Sequence, residues 1–219
     1  TTLVNAICKM LKSEDETSRP TFSIVNEYTY PKGIIYHFDL YRLNNSDELM
    51  DIGESMIKYV INRLLNEKRS DMENLNKFIS KGLIDKLIKL KENKFIKIKY
   101  KDVINEINED ILINKNLKLS KLSDGDDLGS EHENYITQKY DTGVFVTHWP
   151  IAIKSFYMKQ CGDGTCESFD LLIPYGIGEL IGASQREEDL DKLTNMMDQK
   201  EINKDDLSFY LDLRKYGTC

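Results

Sequence analysis

From Gly143 to Gln185 the chain reads GVFVTHW, KSFYMKQ, ESFDLLIP and ELIGASQ, four runs of strand character joined by connections too short to hold a crossover helix. Short connections join antiparallel neighbours, so this stretch predicts an antiparallel sheet. Helical spacing lies on both sides of it. Upstream, Leu49, Ile52, Met56, Val60 and Leu64 keep a 3.6-residue period, with Asn45 and Glu48 spaced as a capping box. Downstream, Leu190, Leu193 and Met197 mark one amphipathic helix, and DDLSFYLDLRKY closes the chain. The expected fold class is α+β, an antiparallel sheet flanked by helices, preceded by an N-terminal α/β fragment.

That fragment opens with a helix whose apolar face is Leu3, Val4, Ile7, Cys8 and Leu11. TFSIVNEY and IIYHFDLYRL follow as two strands around a Pro31-Lys32-Gly33 turn. After the long helix, SDMENLNKFISK and LIDKLIKLKE read as two more, separated by Gly82 as a C-cap. KFIKIKY alternates as a strand and KDVINEINEDI returns to helical spacing. The later part of residues 105–122 reads as a polar, mobile connection, and Ser130 with Glu133 as a cap for EHENYITQKY. Gly53 stands inside the long helix, where glycine costs about 1 kcal/mol relative to alanine.

A net charge of −7 and a pI near 5.1 argue against a nonspecific grip on nucleic-acid phosphates, so any such contact must be local, and the acidic balance does not exclude a tRNA enzyme. No stretch approaches the roughly 20 apolar residues of a membrane span. The cytoplasm is the expected setting, with no membrane partner. Cys8, Cys161, Cys166 and Cys219 are too scattered for a disulfide framework. Cys161 and Cys166 bracket GDGT, which reads as a hairpin tip in preference to a zinc site, because no second ligand pair accompanies them.

The chemistry concentrates in GIGELIGASQREEDLDKL. Glu179 and Arg186 flank a short run holding Gly182 and Ala183, a pattern that lets a ligand approach the backbone between opposite charges. A hairpin through Tyr175 to Gly178 can bring Asp170 beside Glu179, and two hard oxygen donors suit Mg²⁺. The alternative is a pair of edge-strand acids facing water. Arg186 suits a carboxylate, carboxamide or phosphate, or else an ion pair with Glu187 or Glu188. His132 and His148 lack a nucleophile at a suggestive spacing. His37 and Asp39 lie where nucleotide-binding sheets hold Mg²⁺, although a polar hairpin accounts for them equally.

WPIAIKSFYMKQ, FDLLIPYGIGELIGASQREEDLDKL and YLDLRKYGTC resemble the catalytic domain of the asparaginyl-tRNA synthetases, a class II aminoacyl-tRNA synthetase family. MIKYVINRLL, DDLGSEHENYI and KYDTGVFVTHWP fit the same family, so the resemblance covers about residues 55–219. Ser155-Phe156-Tyr157 after Lys154, and Ser184-Gln185-Arg186-Glu187, look more like the asparaginyl than the aspartyl branch. The resemblance implies ATP-dependent activation of asparagine and its transfer to tRNA, with homodimers in the full-length family. It implies that Asp170 and Glu179 hold Mg²⁺ against ATP. It also implies that Glu179 and Gly182 line the nucleotide, and that Arg186, Ser184 and Gln185 meet the amino acid. The turn YGIG is one residue longer than the family pattern.

Residues 1–53 resemble instead the bacterial P-loop ATPase of tRNA threonylcarbamoyladenosine synthesis, through TTLVNAICKML, SRPTFSIVNEY and YHFDLYRL…DELMDIG. There Thr1 and Thr2 would close the phosphate loop and Asp39 would bind the cofactor, but the loop's glycines and lysine are missing. The expected organisation is therefore a fragment of that ATPase at 1–53 and a partial synthetase domain at 54–219, meeting near Gly53. The chain alone is expected to bind ATP weakly and not to charge tRNA. An accessory ATPase and a noncatalytic synthetase remnant acting as an interaction module are the alternatives.

Overall fold

The computed structural model describes residues 2–15, 25–38 and 46–216. Asp39, Thr1, Asn45 of the expected capping box, the first residues of TFSIVNEY and Cys219 lie outside them. The chain divides into two compact units, Thr1–Leu49 and Met50–Cys219.

In the first unit, helix α1 (Thr2–Met10) buries Cys8. Strands β1 (Val25–Tyr30) and β2 (Gly33–Phe38) form an antiparallel hairpin in which Tyr30 pairs with Gly33 across Pro31-Lys32. Proline at the first turn position presets φ for such a reversal.

The second unit is built on a four-stranded sheet in the order β3 (Ile96–Lys99), β4 (Val144–Thr147), β5 (Ser168–Ile173), β6 (Gly178–Ser184). β4, β5 and β6 are antiparallel; a tight turn joins β5 to β6, whereas residues 148–167, with the KSFYMKQ run among them, join β4 to β5. β3 runs parallel to β4, so the sheet is mixed. The parallel step is possible because α5 (Tyr100–Ile113) and α6 (Ser130–Tyr140) supply the long crossover. Both β4 and β5 are buried along their whole length. Tyr100, Val103, Ile104 and Ile107 of α5 and Ile136 of α6 pack with Val144, Val146, Trp149 and Leu172 as one core.

The opposite face carries Phe145, Leu171 and Ile181, which pair across three strands. Helix α2 (Ser46–Glu67) covers it, bringing Gly53 close to Phe145 and Ile181. The Glu54 carboxylate on the same helix accepts from the Phe95 amide at 3.2 Å. Helices α3 (Arg69–Phe78), α4 (Leu83–Glu92), α7 (Leu190–Gln199) and α8 (Ser208–Lys215) complete the unit.

Four expectations are corrected. KSFYMKQ forms turns and isolated bridges, Met158 with Arg186 and Gln160 with Cys166, because it wraps over the end of the sheet. Gly82 is the N-cap of α4, at φ 80, and not a C-cap. Ser130 lies inside α6, whose N-cap is Gly129 with no side-chain cap, so Glu133 is free of capping duty. Finally, the segment after α5 is anchored: Asn108 both donates to and accepts from the Leu122 backbone, at 2.7 and 3.0 Å, and Leu122 and Leu128 join the core.

Candidate functional site

Asp170 pairs with Gly182 in the β5–β6 ladder, and paired residues share a face. Glu179 is three residues from Gly182, so in a regular strand it would point away. A register shift between Leu171 and Leu172 changes this: Leu171 faces Ile181, but Leu172 faces Glu179. The bulge leaves Leu180 as the extra residue and turns Glu179 to the Asp170 face. The YGIG turn does not disturb this pairing, since Tyr175, Gly176 and Gly178 all adopt positive φ and Ile173 meets Gly178.

Both carboxylates converge over Gly182. A Cβ there would stand 2.7 Å from Glu179 Oε1 and 3.4 Å from Asp170 Oδ1. Lys154 reaches the same place, its Nζ 2.6 Å from Asp170 Oδ2 and 3.9 Å from the Trp149 ring centroid. Burial pushes the Asp170 carboxyl above the ordinary range, and Lys154 opposes that rise. Glu179 is raised by desolvation and by the Asp170 charge. Glu133 on α6 is raised by desolvation and then by Glu179, Asp127 and Asp170. The result is a carboxylate-rich corner opposed by one ammonium group, which favours an added cation.

Arg186 closes the other end. Its Nη1 donates to Ser184 Oγ and its guanidinium lies 4.3 Å from the Tyr157 ring centroid. Lys159 holds Glu188 at 2.8 Å, and buried Glu187 accepts from the Gln160 and Asp189 amides at 3.2 Å each. The expected alternative of an Arg186 ion pair with either acid is therefore not realised. Arg214 of α8 donates to the Glu187 carbonyl at 3.0 Å, pinning the strand exit.

Lys154, Tyr157, Asp170, Glu179, Gly182 and Arg186 thus border one cavity of about 320 Å³, with Ala183 and Ser184 in its wall. Of the residues singled out in the sequence, Asp170, Glu179, Gly182, Ser184 and Arg186 come together. Gln185 does not: its backbone pairs with Glu167 and Lys159, and it lies outside the lining. Lys154 and Tyr157 line the site and Glu133 adds charge beside it, although the sequence assigned none of the three a site role. The signal for Lys154 was its place beside the SFYM run, whereas Glu133 was hidden by the apparent cap. His132 meets Ser120, but through the backbone carbonyl at 3.0 Å as well as Oγ at 3.3 Å, and its buried Nδ1 has no orienting acid. His148 rests on Thr147 and His37 on Tyr28.

Among the described residues no group of three His, Cys, Asp or Glu side chains gathers around a metal position. Two carboxylates over a glycine cradle still fit Mg²⁺, which takes its other ligands from water and phosphate. The donor set is hard, anionic and short of counter-charge.

The sequence model of the class II tRNA synthetases (D, K and N) matches residues 35–219. The asparagine–tRNA ligase of Acholeplasma laidlawii is 43% identical over 171 residues, covering 77% of this chain and 36% of that protein. The Clostridium novyi ligase is 42% identical over 173 residues, with 78% and 36% covered. The chain thus spans about a third of the length of these curated relatives. Asparaginyl-tRNA synthetase of Pyrococcus horikoshii, solved with asparaginyl-adenylate, superposes with a TM-score of 0.64 and 25% identity, over 99% of this chain and 59% of that one. The Entamoeba histolytica enzyme gives a TM-score of 0.64 at 27% identity, over 79% and 38%.

Proposed function

The chain belongs to the class II tRNA synthetases of the D, K and N group, and on that premise we propose that the β5–β6 cavity is the part of an asparagine-tRNA ligase site that holds asparagine and Mg-ATP, the chain alone binding ATP weakly and not charging tRNA. The observation that carries this reading is the convergence of Asp170, Glu179 and Arg186 on one hollow with a glycine floor. In adenylate formation the amino-acid carboxylate attacks the α-phosphorus and pyrophosphate departs. Enzymatic acceleration of that step is mainly alignment and charge stabilisation.

Each side chain has a defined task. Arg186 spends one N–H on Ser184 and stacks on Tyr157, so its remaining donors face the cavity in a fixed plane. A planar fork suits the carbonyl of a side-chain carboxamide. Gly182 and Ala183 let the ligand approach the strand backbone. Asp170 and Glu179 would hold Mg²⁺, whose charge offsets the phosphates when bound. Lys154 fixes the Asp170 carboxylate through the 2.6 Å contact. Asparagine, ATP and tRNA are the partners of this reading, in a cytoplasmic setting and with a second copy as in the full-length family.

Ligand binding tests it directly. Thermal shift with asparagine plus Mg-ATP is expected to raise the melting temperature, aspartate to do so less, and Glu179→Ala to abolish the gain. A shift with Mg-ATP alone that survives Glu179→Ala would move nucleotide binding to residues 1–53 and sink the proposal.

A further inference from the structure

Arg186 is exposed at the end of β6, yet its proposed task requires the guanidinium to keep one plane. Ser184 holds one of its N–H groups and Tyr157 one of its faces. Neither contact is enough unless Tyr157 and the backbone beside Arg186 are themselves held. Both are held from α8, by Arg214.

Two paths run from Arg214 to Arg186. The first is through the backbone: Arg214 Nε donates to the Glu187 carbonyl at 3.0 Å, and the Glu187 amide donates to the Tyr157 carbonyl at 2.8 Å. The second is aromatic. Arg214 Nη2 donates to the Tyr210 hydroxyl at 2.6 Å, and the guanidinium lies 3.8 Å from the Tyr210 ring centroid. Tyr210 meets Phe156 edge to face at 6.1 Å, Phe156 meets Tyr157 edge to face at 5.3 Å, and Tyr157 carries Arg186 at 4.3 Å. Edge-to-face pairs are directional, so the tilt of one ring constrains the next. Arg214 is half-buried, and among the described residues no carboxylate pairs with it; its bonds go to the Glu187 and Tyr210 carbonyls and one hydroxyl. An ion pair therefore does not account for a guanidinium at this place, whereas a planar fork that reaches two elements at once does.

We infer that Arg214 is a positioning residue that sets the plane of Arg186, and with it the affinity of the cavity for a side-chain carboxamide. The identity of the ligand rests on the proposed function; the coupling of Arg214 to Arg186 does not. Loss of the Arg214 guanidinium frees the Glu187 carbonyl and loosens the Tyr210–Phe156–Tyr157 stack together, so the Arg186 fork is no longer held in the orientation that a carboxamide oxygen meets. Asp170 and Glu179 lie at the other end of the cavity and keep their geometry.

The test has two arms, both on the full chain. The first uses no ligand and follows the NMR signals of the Arg186 guanidinium, assigned with Arg186→Lys, whose exchange reports rotation about the Cζ–N bonds. That rotation is expected to quicken in Arg214→Met and to stay as in the wild type in Lys215→Gln, the next residue of α8. The second arm titrates asparagine into excess Mg-ATP and reads the melting temperature. Arg214→Met should raise the asparagine midpoint at least about tenfold, the size of one lost hydrogen bond to a charged group, and keep the Mg-ATP midpoint within about twofold. Arg214→Lys keeps the charge but cannot reach Glu187 and Tyr210 together, so it should behave as Arg214→Met does. Unchanged Arg186 rotation in Arg214→Met, whatever its melting temperature, would overturn the positioning role, and so would an Arg214→Lys chain that binds asparagine as the wild type does. If Arg214→Met does not fold, Phe156→Leu, which breaks only the aromatic path, is read in the same way: quicker rotation supports the coupling and unchanged rotation overturns it. A wild-type chain that shows the coupling but no asparagine midpoint would refute the adenylate reading and leave the coupling standing.

Discussion

Gly53 and Gly182 look alike in the sequence, each a small residue inside a regular element, yet their surroundings assign them opposite meanings. A Cβ on Gly53 would meet Ile181 Cδ1 at 3.8 Å and Phe145 Cζ at 3.9 Å, ordinary packing distances. Gly53→Ala should therefore stabilise the second unit by up to about 1 kcal/mol, read as a raised denaturant midpoint with unchanged slope. At Gly182 the same methyl would enter the space of the Glu179 carboxylate at 2.7 Å. Gly182→Ala should displace Glu179 and remove the Mg-ATP shift while leaving the melting temperature of the unliganded chain within a few degrees. The sequence flagged both glycines as unusual, but only a long-range neighbour could say which one tolerates a side chain.

At the scale of elements, α5 and α6 are joined by charge as well as by their shared core. Lys139 of α6 bridges Asp110 at 2.6 Å and Glu106 at 3.1 Å on α5, and Tyr135 and Tyr140 donate to the same two acids. The Lys139 hydrogen bond holds the Asp110 carboxyl below its ordinary 3.8. A depressed carboxyl contributes stability above the unfolded value and loses it as pH falls through the folded one. Lys139→Met should thus cost about 0.5–1 kcal/mol near neutral pH, discounted for partial exposure, with the penalty shrinking in acid and in high salt. Urea denaturation of both chains across that range is the measurement. α4 was legible residue for residue, because LIDKLIKLKE keeps helical spacing over its whole length. The false strand at KSFYMKQ alternates just as well, but it meets its neighbours only at isolated bridges, Met158 with Arg186 and Gln160 with Cys166, and not along a continuous ladder. Likewise, the Ser130–Glu133 spacing satisfies a capping rule that the backbone entry at Gly129 makes unnecessary.

For the whole molecule, we propose that residues 1–53 have an ancestry separate from the rest. The compact units divide at Leu49 and Met50, and the two curated ligases match 77% and 78% of the chain, although the family's sequence model extends to residue 35. Limited proteolysis with mass mapping should give a preferred cut between about Leu43 and Ser70; a single resistant unit over the full length would remove the proposal. By itself the sequence marked most of the helices and the β5–β6 hairpin and nominated two carboxylates and an arginine as a site, because tight turns and local spacing are properties of neighbouring residues. Only the tertiary structure decided that Glu179 faces Asp170, that Lys154 and Glu133 complete the charge at that corner, and that β3 lies parallel to β4. Those outcomes depend on a one-residue bulge and on a crossover through two helices, and a strand's face and partner are fixed by what packs against it from distant parts of the chain.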